Sequence, residues 1–195
     1  MSDAVLIRAA SLERQAVEII ASLNLLERWS KFGAPRIVGS AAYGLMVVPD
    51  IDIEIYCPEP TVDAGFSVVS DLARDPRVWK VRFSNELAEE NQGLYWQIRY
   101  RNSDEEIWKI DMWLLADAHP GPRSVDLIEP MRRVLTDESR VVILTFKELM
   151  QDRADIHSID IYRAVIDDGV RNASDFARWL EQQKPGRGLT FWQPA

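Results

Sequence analysis

The tightest constraint on this chain is a short alternation, Asp50-Ile51-Asp52-Ile53, nine residues after Val38-Gly39-Ser40. On a strand, residues two apart point to the same face. Asp50 and Asp52 are therefore expected side by side, with Ile51 and Ile53 turned into a core. Two like charges a few ångströms apart repel and raise a pKa unless a cation sits between them. Magnesium suits such a pair, being a hard ion held through one or two carboxylates and the phosphate oxygens of a substrate. A Gly-Ser turn ahead of the pair fits the handling of a nucleoside triphosphate.

A third acid is available in Ile107-Trp108-Lys109-Ile110-Asp111-Met112-Trp113. Strand alternation puts Ile110, Met112 and Leu114 on one face and Lys109, Asp111 and Trp113 on the other. An acid within an apolar strand is costly to bury unpaired. Asp111 on a neighbouring strand would complete a three-carboxylate cup. Lys80 and Arg82 share a face of their strand, and Arg99 and Arg101 share one with Gln97. These cations suit either a triphosphate or an ordinary solvated face with cross-strand ion pairs. Glu54 also lies on the acidic face and is expected to pair with a strand cation such as Lys109 rather than to bind metal.

Apolar periodicity and breakers set the organisation. Helix is expected over 11–30 with Ser11 as N-cap, then a short strand over 36–38, a brief helix over 41–46 and a strand over 50–56. A second helix is expected over 61–73. Strands follow over 78–83, 94–100 and 107–115, the last two joined by a hairpin turn at Asn102-Ser103-Asp104. Residues 117–130 read as a linker. Three helices follow: 137–151 with Thr136 as N-cap, one capped by Ser158 that stops near Gly169, and 175–183 capped by Ser174 and ending before Pro185-Gly186. The fold class is thus α/β (α+β), a mixed sheet flanked by helices and followed by a small C-terminal helical part. The expected division is a catalytic domain over 1–123 and a helical region over 124–195.

Composition narrows the partners. The formal net charge is -8 and the sequence is 47% hydrophobic, enough for a sizeable core. An acidic chain is poorly suited to gripping nucleic acid, which requires counterion release by Lys and Arg. One cysteine, Cys57, precludes an internal disulfide and fits a reducing compartment. No basic leader opens the sequence, and no apolar run approaches the roughly 20 residues of a membrane span. A cytoplasmic location without membrane association is the expectation. His119 and His157 are too few for a histidine metal site.

The gapped pattern of an apolar residue, Gly-Ser, nine residues, then Asp-Ile-Asp-Ile, with a third acid on a later strand, resembles the nucleotidyltransferase superfamily typified by DNA polymerase beta, in its small bacterial form. The match spans roughly residues 35–115. The resemblance implies that Gly39 and Ser40 hold the terminal phosphates of a nucleoside triphosphate such as ATP. It implies that Asp50, Asp52 and Asp111 are catalytic and hold two magnesium ions. The reaction would be in-line attack by a hydroxyl on the α-phosphate, with a nucleoside monophosphate transferred and pyrophosphate released. The acceptor would be a small molecule or a protein side chain.

One segment departs from the family pattern. Residues 41–49 carry no charge, so triphosphate charge would be met from Lys80, Arg82, Arg99 or the C-terminal helices. Two other readings stay open: a nucleotide- or metal-binding regulatory module without turnover, and a purely structural domain.

Overall fold

The structure is a computed structural model that describes residues 2–182 and 191–194. The chain divides into two compact units, one of residues 12–42 and 48–120, the other of residues 1–11, 43–47 and 121–195. The expected end at Pro185-Gly186 lies outside the described residues.

The elements run α1 (Ser2–Ser22), α2 (Leu25–Ser30), β1 (Ala34–Val38), α3 (Gly39–Tyr43), β2 (Asp50–Cys57), α4 (Val62–Leu72), β3 (Val78–Glu86), β4 (Gly93–Arg101) and β5 (Ile107–Ala116). Then come a 3-10 turn (Ser124–Leu127), α5 (Ile128–Val134), α6 (Asp137–Met150), α7 (Ser158–Ile166) and α8 (Ala173–Gln182). The fold is the mixed α/β class expected, with a five-stranded sheet in the order β1-β2-β5-β4-β3. Strand β5 runs parallel to β2, and the other neighbours are antiparallel.

The first helix differs from expectation. It begins at Ser2 rather than Ser11, because nothing in residues 2–10 breaks a helix. It stops where Asn24 adopts a left-handed conformation (φ 49°), which Asn tolerates better than most residues. The expected linker over 117–130 contains the 3-10 turn and the start of α5, with Pro130 in the first turn, where a missing N–H costs nothing. Asn172, not Ser174, caps α8: its side-chain oxygen accepts from the Asp175 amide at 3.0 Å. Thr136 caps α6 and Thr61 caps α4 through side-chain acceptance of a backbone N–H.

In the first unit the sheet has one apolar face. Ile51, Ile53, Trp96, Ile98, Ile110, Met112 and Leu114 are fully buried on it. Trp29 of α2 reaches in, its indole donating to the Met112 sulfur at 3.2 Å, and α4 lies against β3 and β4. Gly65 lets α4 come close: a β-carbon there would lie 2.0 Å from Trp96 Cη2. The opposite face carries the acids. The second unit has its own core, with Phe146 stacked on Phe176 at 4.9 Å and Ile143, Leu144, Ala164 and Val165 fully enclosed. Within it the Lys147 amine is buried and donates to the Leu45 carbonyl at 2.8 Å. Among the described residues no helix is long and apolar enough to cross a membrane.

Candidate functional site

Asp50 opens β2 directly after Pro49, and strand pairing places Asp52 opposite Asp111 on β5 and Asp50 opposite Lys109. The parallel ladder therefore does what sequence alternation alone cannot, which is to set the register between the two acidic strands. One oxygen from each of Asp50, Asp52 and Asp111 lies within 4.8 Å of the others. Asp50 and Asp52 are half-buried and Asp111 is buried. A trio of oxygen donors this close is suited to a hard cation.

Each acid is held differently. Asp111 Oδ1 accepts from the Tyr95 hydroxyl at 2.9 Å and from Gln97 Nε2 at 3.0 Å, and Gln97 also donates to the Tyr95 oxygen at 2.8 Å. Asp111 Oδ2 accepts from Lys109 Nζ at 2.9 Å. Lys109 also reaches Asp50 Oδ2 at 2.8 Å. Asp50 Oδ1, in contrast, is buried with no hydrogen-bond partner among the described residues. Such orphaned acceptors are rare in folded proteins and call for a ligand or an ion.

The electrostatics follow from this geometry. Burial pushes the Asp50 carboxyl above its usual range, opposed by Lys109 and reinforced by Asp111. Burial, then the Asp111 charge, raises the Tyr95 phenol. Burial works against the Lys109 charge, but Asp50 and Asp111 outweigh it and raise the ammonium above its ordinary range. The expected Glu54–Lys109 pair is not formed. Glu54 sits opposite Trp113, two register steps beyond Asp52, and accepts from the Tyr56 hydroxyl at 2.5 Å.

Gly39 comes next to this cluster because Val38 pairs with Asp52 at the end of β1. Its φ is +62°, and a β-carbon on it would lie 2.5 Å from Asp52 Oδ2. Glycine is required here on two counts, left-handed backbone and close approach. Ser40 follows in α3.

The basic residues extend the same face. Lys80 pairs with Arg99, and Arg82 with Gln97. Lys80 and Arg82 are exposed, while Arg99 is half-buried and near enough to act on the Asp50 charge. His119 is tied to the Asn91 carbonyl at 2.9 Å. In the second unit Tyr162 is buried edge-on to Tyr43, and Arg171 donates to the carbonyls of Val165 and Val170. Tyr95 and Gln97, the two donors that fix Asp111, were missed as site residues. Alternation puts them on one face, but only register puts them beside Asp111.

No protein-family model matches the sequence, and no curated protein matches it significantly. Solved structures do match in fold. A mutant of the Cid1 poly(U) polymerase bound to MgATP superposes with a TM-score of 0.63 at 11% identity, over 85% of this chain and 52% of that one. Cid1 in complex with its short product ApU superposes with a TM-score of 0.58 at 11% identity, over 80% of this chain and 48% of that one. A cytoplasmic RNA terminal U-transferase gives 0.55 at 11% identity, over 84% and 54%. The chain thus spans about half the length of the structures it matches. The likeness is one of fold, shared with these poly(U) polymerase and terminal U-transferase structures.

Proposed function

We propose that the protein transfers a nucleoside monophosphate from a nucleoside triphosphate to a hydroxyl acceptor and releases pyrophosphate. The observation that carries this reading is the Asp50–Asp52–Asp111 trio, with its buried, unpartnered Asp50 oxygen. The all-oxygen donor set fits magnesium, and two ions are the expectation. Structures of similar fold hold MgATP, MgGTP and the UTP analogue UMPNPP, which supports a magnesium nucleotide as donor.

Asp50, Asp52 and Asp111 would hold the metal, which when bound stabilises the attacking and leaving oxygens of an in-line displacement. Gly39 leaves open the approach over Asp52 that a side chain would block, and Ser40 beside it would receive a terminal phosphate. Asp111, whose Oδ1 is fixed by Tyr95 and Gln97 and whose Oδ2 meets Lys109, would share the metal and help deprotonate the acceptor hydroxyl. The new bond joins the acceptor oxygen to the α-phosphorus, and the bond from that phosphorus to the bridging oxygen breaks. Beyond Lys109, the cations Arg99, Lys80 and Arg82 lie on this sheet face and would meet negative charge on the substrates. The acceptor we favour is a small molecule or a protein side chain, in keeping with the net charge of -8. A cytoplasmic location belongs to the same reading.

Thermal shift with magnesium and each ribonucleoside triphosphate, on the parent and on Asp50→Asn and Asp52→Asn, tests the site. Stabilisation that needs both ligands and disappears in the variants supports it. Pyrophosphate release on adding candidate acceptors separates turnover from a binding module. No shift in the parent at millimolar ligand would refute the reading.

A further inference from the structure

Lys109 occupies one oxygen on each of two acids proposed to hold the metal. Its amine contacts Asp50 Oδ2 at 2.8 Å and Asp111 Oδ2 at 2.9 Å, and it alternates with Asp111 on the acidic face of β5. Asp111 Oδ1 is already committed to Tyr95 and Gln97. Any divalent cation that draws on Asp111 therefore either shares an oxygen with the ammonium or replaces it there. Sharing would place two cations a few ångströms apart in a partly buried site, where like charges repel strongly. Without metal, removing the amine would leave three carboxylates facing one another, the arrangement that repulsion opposes most.

We infer that Lys109 is a positioning residue: its ammonium holds Asp50 and Asp111 together when no metal is present, and an entering divalent cation displaces it from them. Metal binding at this site is then an exchange of one cation for another. The exchange weakens apparent metal affinity and releases an amine onto the sheet face that carries Arg99 and Lys80. This inference rests on the metal site proposed above.

Two measurements on the full chain test it. The first is calorimetric titration with Mn2+ of the parent, Lys109→Met and Lys109→Arg. Partners of metal ligands commonly change affinity about 10- to 100-fold. Here Lys109→Met should bind about 10-fold more tightly than the parent, because the competitor is gone, and Lys109→Arg should stay near the parent. The second measurement uses the parent alone and so does not depend on a variant folding. Lys109 acetylation by an amine-reactive reagent, read by mass spectrometry against exposed Lys80, should rise several-fold when Mn2+ is added. Equal or weaker Mn2+ binding by Lys109→Met, or Lys109 labelling that Mn2+ leaves unchanged or suppresses, overturns the inference and leaves the metal site standing. Absence of Mn2+ binding in both the parent and Lys109→Met overturns the metal site itself, and the inference with it.

Discussion

Gly39 passes so near Asp52 that a β-carbon on it would lie 2.5 Å from that carboxylate's Oδ2. Alanine at this position meets two obstacles. The left-handed backbone (φ +62°) costs about 1–2 kcal/mol for a residue with a β-carbon, and the methyl group must push Asp52 aside. Gly169 offers a control, since its φ is +64° but nothing lies within 4 Å of a β-carbon there. Gly169→Ala should show the backbone cost alone. Gly39→Ala should lose more stability in urea melts and lose the stabilisation by magnesium and nucleotide. Equal effects of the two substitutions would mean that Asp52 is not displaced.

Gly65 tests the other side of the sheet. A β-carbon there would fall within the Trp96 ring, which is fully buried and edge-on to Phe66 at 5.7 Å. Overpacking of this kind costs about 1–3 kcal/mol. Gly65→Ala is expected at the upper end of that range, read from the shift in denaturation midpoint at constant slope. A neutral outcome would show that α4 can lift off the sheet without loss.

Alkaline pH should loosen the site. Tyr95 and Lys109 ordinarily titrate at 10.0 and 10.5, and both are raised in the fold. The folded protein keeps these protons where the unfolded chain releases them. The stability they contribute is complete below those ordinary values and is lost as pH rises through the folded ones. Melting temperature should therefore drop steeply above about pH 10. Tyr95→Phe removes one of the two groups, and its melting temperature should fall less steeply over the same range. A slope identical to the parent's would show that Tyr95 ionisation is not coupled to folding.

The buried amine of Lys147 makes a prediction for the second unit. Its bond to the Leu45 carbonyl is 2.8 Å, and Leu45 is fully buried. Lys147→Met keeps the bulk of the chain but strands that carbonyl, at a cost of about 1–3 kcal/mol. Calorimetric unfolding measures it, and an unchanged melting temperature would mean that another donor takes over.

Much of the sheet could be read from residue order because the signals were local. Alternation marked β2, β4 and β5 and assigned their faces, and Asn102 marked the hairpin, where its side-chain oxygen accepts from the amides of Asp104 and Glu106. Asp50, Asp52 and Asp111 could be gathered by the same logic. Partners across strands could not. A shared face makes a strand cation such as Lys109 a candidate partner for Glu54, whereas register sets Lys109 opposite Asp50. Tyr95 and Gln97 escaped for the same reason. In the helices, a cap signal such as Ser174 stood near a better one, Asn172, and only the geometry of the turn distinguishes them.

The sheet order carries a consequence for how the protein matures. Strand β5 emerges last of the five, yet it is inserted between β2 and β4. Until it arrives, Asp50 and Asp52 lie on a strand whose inner edge is open, and Asp111 is not beside them. Pairings between segments this distant in sequence form slowly, because loop-closure entropy must be overcome first. Metal-dependent protection during refolding should therefore appear as a late event, together with closure of the central strand. A nascent chain halted before Ile107 would carry two of the three acids but not the strand that completes the cluster.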